Sequence, residues 1–100
     1  MTEPHVMMVI FHAKAGHEAT VRSMLSAMVQ ATRTEQGCER YVLHDSIDSD
    51  RVFAFYETWT SKRDWEVHMK TVHLNNLLVE LPQHLAEEIQ VVNLRQIPIE

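Results

Sequence analysis

One hundred residues with 45% hydrophobic and 23% charged content describe one globular domain with a single modest core. A net charge of −5 argues against nucleic acid, whose phosphates call for a basic stripe, and against an anionic membrane surface, where Lys and Arg would cluster. One cysteine, Cys38, excludes an intrachain disulfide and fits a reducing compartment.

The opening Met1-Thr2-Glu3-Pro4 has neither the basic nor the apolar segment of a signal peptide. The longest apolar run, Val6 to Phe11, falls far short of the ~18 residues that suggest a membrane span. A cytoplasmic chain without a membrane partner is the expectation. Val6 to Ala13 is dense in Val, Ile, Met and Phe and predicts a strand, with Lys14-Ala15-Gly16 as its turn. From His17 to Glu35, Val21, Met24, Leu25, Met28 and Thr32 recur three or four apart, which predicts an amphipathic helix. Gly37 stands where a left-handed cap is wanted.

Cys38 to Ile47 alternates loosely, Asp48-Ser49-Asp50 is a polar turn, and Arg51 to Trp59 is a second strand, so the two predict a hairpin. Ser61 then caps a helix with Asp64 as its capping-box partner, and Trp65, His68 and Met69 share the inner face. A second helical piece carries Leu74, Leu77, Leu78 and Leu81 until Pro82 interrupts it, and Glu88 to Ile97 closes the chain as a strand. The order β-α-β-β-α-β is the split βαβ motif of α+β, ferredoxin-like folds, with helices over one face of a four-stranded antiparallel sheet. One domain spans 1–100, its core about 5–97.

The other face of that sheet is also apolar. Val6, Met8 and Ile10 oppose Met7, Val9 and Phe11, while Val52, Ala54 and Tyr56 oppose Phe53, Phe55 and Trp59. A sheet with one wet face alternates apolar and polar residues, and an open greasy face exceeds the roughly 300–600 Å² patch that monomers carry. A homodimer packed sheet to sheet about a two-fold axis follows as an expectation.

Lys14-Ala15-Gly16-His17-Glu18, Thr34-Glu35-Gln36-Gly37-Cys38-Glu39-Arg40-Tyr41, Tyr56-Glu57-Thr58-Trp59, His68 and Thr71-Val72-His73-Leu74 together resemble the antibiotic biosynthesis monooxygenase domain family, of the quinol monooxygenase type. The resemblance covers about residues 5–97. It implies a dimeric α+β barrel and an enzyme that oxygenates a quinol or polycyclic phenol with O2, without metal, flavin or haem. Such chemistry needs a dry cavity, a group that handles a proton, and a fit to an aromatic ring. The sequence carries no Gly-rich phosphate loop, cysteine pair or dinucleotide fingerprint.

His68 is the candidate general base toward a phenol, or else a core histidine paired with a backbone carbonyl or Glu57. His73 lies five residues on, roughly 140° round a continuous helix, so a two-histidine metal pair is disfavoured unless a kink at Thr71 intervenes; its plainer role is to tie down a loop or interface. Glu57, costly to bury alone, should find Arg, His or a backbone donor, or orient a catalytic histidine. Trp65, Trp59, Tyr56, His44 and Arg95 are candidate substrate contacts; Trp59 and Tyr56 lie on opposite faces of one strand, so at most one lines a given cavity. Trp59 and Tyr56 also read as core, the face of His44 is open, and Arg95 could hold a phenolate or pair with Glu57. His5, His12, His17 and His84 read as solvated or edge positions, and His17-Glu18 lacks the second histidine of a zinc-protease helix.

Three other functions compete. An isomerase or lyase for a small phosphorylated carbonyl compound shares the fold but calls for clustered Lys, Arg or His. Haem degradation calls for an Asn and an axial His where this chain has Val9 and Leu78. A dimeric module that merely binds a small aromatic needs no chemistry at all.

Overall fold

The computed structural model describes residues 3–99. Its elements run β1 (His5–His12), α1 (Glu18–Ser26), α2 (Val29–Arg33), β2 (Cys38–Asp45), β3 (Val52–Trp59), α3 (Lys62–His68), α4 (Val72–Glu80), a 3₁₀ turn (Leu81–His84) and β4 (Gln90–Leu94). The strands form one sheet in the order β2-β3-β1-β4, every neighbouring pair antiparallel. This is the ferredoxin-like α+β arrangement that the element order predicts.

The helix expected over His17–Glu35 is two pieces. Between them Met28 N–H bonds the Leu25 carbonyl, an i→i−3 bond that tightens the turn. Val21, Leu25, Met28 and Thr32 still share the buried side. The last strand is shorter than the expected Glu88–Ile97. Leu94 pairs with Val6, and the partner strand runs out at His5 behind Pro4, which has no N–H to offer a longer ladder.

Register decides which face of the sheet holds chemistry. Met7, Tyr41 and Glu57 lie side by side, as do Val9, Leu43 and Phe55. These residues, with Phe11, Phe53 and Trp59, face the helices and pack with Val21, Leu25, Leu74, Leu77 and Leu81. A bulge between Cys38 and Arg40 re-phases β2 by one residue, which is why its alternation in sequence is loose. Without that extra residue Tyr41 would turn to the other face.

Candidate active site

The site begins at the end of β3. Glu57 is 4% exposed among apolar neighbours. Its partner is neither Arg, His nor backbone but an indole two residues on: Trp59 Nε1–H donates to Glu57 Oε1 at 3.0 Å. Residues i and i+2 of a strand share a face, so β3 itself supplies the pairing. Burial raises the Glu57 carboxyl to about 7; the Trp59 bond opposes that rise and the charge of Glu35 adds to it.

Ser61 starts α3 with an extended backbone, its hydroxyl accepting the Asp64 N–H, as the capping box predicts. Two turns later His68 points inward and is 2% exposed. Its ring lies 4.6 Å from that of Trp59 and 5.7 Å, edge-on, from Tyr41. Tyr41 stacks on Phe55 at 4.2 Å. Burial holds the Tyr41 hydroxyl well above the usual phenol range, with the Glu57 charge acting in the same sense.

His68 pairs with a residue to which sequence reasoning gave no role. Its Nδ1 lies 2.9 Å and 3.1 Å from the two Glu35 carboxylate oxygens, and His73 Nε2 lies 2.7 Å from Oε2 of the same carboxylate. The kink considered at Thr71 is present. α3 ends at His68, Thr71 has an extended backbone, and α4 begins at Val72, which brings the two imidazoles to 6.4 Å between centroids. The Thr71 hydroxyl donates to the His68 carbonyl and the Asn75 amide donates to the carbonyls of Met69 and Thr71, so polar side chains satisfy the break. Burial lowers the pKa of His68 while the Glu35 carboxylate opposes that, so the ring is neutral at physiological pH. A carboxylate accepts only, so it selects the tautomer with Nδ1–H and leaves the lone pair on Nε2.

Between the helices and the sheet lies a partly open cavity of about 230 Å³, lined by Met7, Val9, Phe11, Tyr41, Phe55, Glu57, Trp65, His68, Met69, Leu74, Leu77, Leu78, Ile89 and Val91. Glu57 and His68 are its titratable groups apart from Tyr41, and no Lys or Arg among the described residues lines it. Val9 and Leu78, the positions weighed for haem chemistry, present only aliphatic surface here.

The structure thus gathers His68, Glu57 and Trp65 at one cavity. Trp59 stands behind as the partner of both Glu57 and His68, and His73 touches the group through Glu35. Tyr56, His44 and Arg95 stand apart. Tyr56 and His44 belong to the outer phase of β3 and β2, and His44 bonds the Val42 carbonyl. Arg95 lies past the end of β4 and shares with Tyr56 a larger, open depression on the outer face of about 710 Å³. The greater volume there is solvent-facing. The smaller cavity holds the perturbed groups.

Sequence reasoning passed over Glu35 and Tyr41. Tyr41 could be placed only with the bulge in hand. Glu35 is two residues ahead of Gly37, whose φ of +81° turns the chain after α2 so that the carboxylate faces α3.

Comparison with known proteins agrees with this architecture. Residues 4–78 match the antibiotic biosynthesis monooxygenase family. Rv0793 of Mycobacterium tuberculosis, named as a candidate monooxygenase, is 28% identical over 91 residues, covering 91% of this chain and 89% of that protein. Its solved structure superposes with a TM-score of 0.90, covering 96% of this chain and 97% of that one. PA3566 from Pseudomonas aeruginosa superposes with a TM-score of 0.92 at 24% identity over 98% of each chain. A family match over three quarters of the sequence, joined to the same fold, places this chain in the antibiotic biosynthesis monooxygenase family.

Proposed function

We propose that the protein is a cofactor-independent monooxygenase that oxidises a small aromatic quinol with O2 in the helix-side cavity. One observation carries the reading: a partly open, largely aliphatic and aromatic cavity whose wall holds both a carboxyl poised near pH 7 and a neutral imidazole. General bases work best when their pKa lies near the operating pH, which favours Glu57 for the proton transfer and gives His68 Nε2 the role of accepting a hydrogen bond from the ring hydroxyl. A cavity of about 150 Å³ is enough for benzene, so about 230 Å³ suits a one- or two-ring substrate better than a larger polycycle.

The chemistry balances without a further reductant. Glu57 takes a phenolic proton, and the electron-rich phenolate passes one electron to O2. The phenoxyl and superoxide radicals then join at a ring carbon, and the Glu57 proton completes a hydroperoxide. Loss of water leaves a carbonyl at that carbon, so one oxygen atom stays in a hydroxyquinone and the other leaves as water. Stacked Tyr41 and Phe55 and the ring of Trp65 supply aromatic surface for the substrate.

The outer sheet face supports a companion proposal, that the working form is a homodimer joined through Val6, Met8, Ile10, Val42 and Tyr56. These residues share that face with Val92 and Leu94, which are 43% and 41% exposed.

An oxygen electrode tests the function. With one- and two-ring hydroquinones we expect one O2 consumed per quinol without hydrogen peroxide, and a loss of at least ~100-fold in Glu57→Gln. Aromatic binding with no uptake above buffer across the panel would make the protein a binding module instead. The absence of Lys and Arg from the described cavity wall weighs against a phosphorylated substrate.

A further inference from the structure

We infer that Glu35, His68 and His73 form a site for a first-row divalent metal ion of the zinc type, on the far side of the His68 ring from the aromatic cavity. The three side chains each offer one ligand atom, and those atoms lie within 4.8 Å of one another. Two imidazoles and one carboxylate, with a position left for water, are a recurrent zinc ligand set, and imidazole disfavours Mg²⁺ and Ca²⁺. Zinc bonds of about 2.0–2.1 Å set tetrahedral ligand atoms about 3.3 Å apart. The present edges of 2.9 Å and 2.7 Å from Glu35 to the two imidazoles therefore need to open by about half an ångström, while the imidazole–imidazole edge, no more than 4.8 Å, needs to close by at most about 1.5 Å.

The backbone favours the arrangement. Residues five apart on a continuous helix diverge, and the break before α4 is what puts His68 and His73 on one carboxylate. Glu35 comes from the turn after α2, where a small shift is easily absorbed. Burial is graded: His68 is enclosed, Glu35 is 14% exposed and His73 33%, so an ion can enter from the His73 side and keep a water there. Both imidazoles must reverse their tautomers. A metal on Nδ1 obliges His68 to carry its proton on Nε2, which changes from acceptor to donor.

The site shares His68 with the proposed oxygenase cavity, but its test needs no substrate, so either reading can fail without the other. Untagged, chelator-treated protein is titrated with Co²⁺. The expected result is a 1:1 visible spectrum of four-coordinate cobalt that Zn²⁺ displaces and that is lost in His73→Ala, a variant whose fold is checked by far-ultraviolet circular dichroism. Glu35→Gln, which keeps the shape but removes the charge, is expected to weaken Co²⁺ binding by about 10-fold or more. No saturable binding below about 100 µM metal overturns the site. So does a spectrum that survives in His73→Ala, because it would place the ion elsewhere, for instance at the pair where His17 Nδ1 meets His84 Nδ1 at 3.0 Å.

Discussion

Glu57 and His68 make stability depend on pH in opposite senses. A carboxyl raised from 4.5 to about 7 keeps its proton in the native state where the unfolded chain has already released it. Its stabilising contribution is therefore complete below pH 4.5 and fades as the pH climbs through 7, a swing on the order of 3 kcal/mol. His68 has the opposite sign. Its lowered pKa gives a contribution present above 6.5 and lost as the pH falls through that value toward its native one. Urea unfolding of Glu57→Gln beside the parent should show near-equal stability at pH 5 and a variant more stable by a few kcal/mol at pH 8, since Gln keeps an acceptor for Trp59 and has no charge to bury. Equal stability at both pH values would mean that Glu57 titrates as an ordinary carboxylate. Residue identity carried much of this in advance: an acid within Phe53-Ala54-Phe55-Tyr56-Glu57-Thr58-Trp59 had to be buried, and one indole had to share its face. The partner was hidden, because an N–H two residues along is overlooked when a charge is sought.

At the level of elements, strand and helix identities were legible from periodicity, while their joints were not. The break between α3 and α4 rests on hydrogen bonds from Thr71 and Asn75 to free carbonyls, and neither glycine nor proline marks it in the sequence. Gly37 was legible as a left-handed residue but not as what it is: the helix is capped at Thr34 in the right-handed region, and Gly37 serves the turn beyond, closed by Cys38 N–H on the Glu35 carbonyl. The Gly37 carbonyl accepts the Thr60 N–H at 2.8 Å, and a Cβ there would collide with Asp64, the residue whose N–H caps onto Ser61. Gly37→Ala therefore combines a positive-φ penalty with a disturbed cap, and a loss of about 2–3 kcal/mol is expected on thermal or urea unfolding. A methyl group at Gly16 would meet nothing within 4 Å, so Gly16→Ala should cost less, the backbone penalty alone. The same joint explains why Glu35 escaped notice: its role depends on a turn, and a turn has no period.

For the whole molecule, the two-faced hydrophobicity of β1 and β3 is the feature that sequence displayed most openly, and the register confirms that the two sets of side chains part to opposite sides. No helix among the described residues is long and apolar enough to cross a membrane. Sedimentation equilibrium at micromolar concentration is expected to give twice the 11.7 kDa chain mass, with Tyr56→Glu shifting the distribution toward the single chain. A parent protein that sediments as one chain throughout would leave the outer face without its proposed cover. β4 sharpens the point. It sits at the sheet margin, all five of its residues are exposed, and Val91, Val92 and Leu94 contribute little shielding to their own chain. β4 is paired with β1 along its length but has no second neighbour in its own chain, so in the proposed dimer its covered face is what separation exposes, and fraying there would uncover the Val91 side of the cavity. Dilution should then act on this protein as a mild denaturant, lowering its melting temperature with the logarithm of concentration.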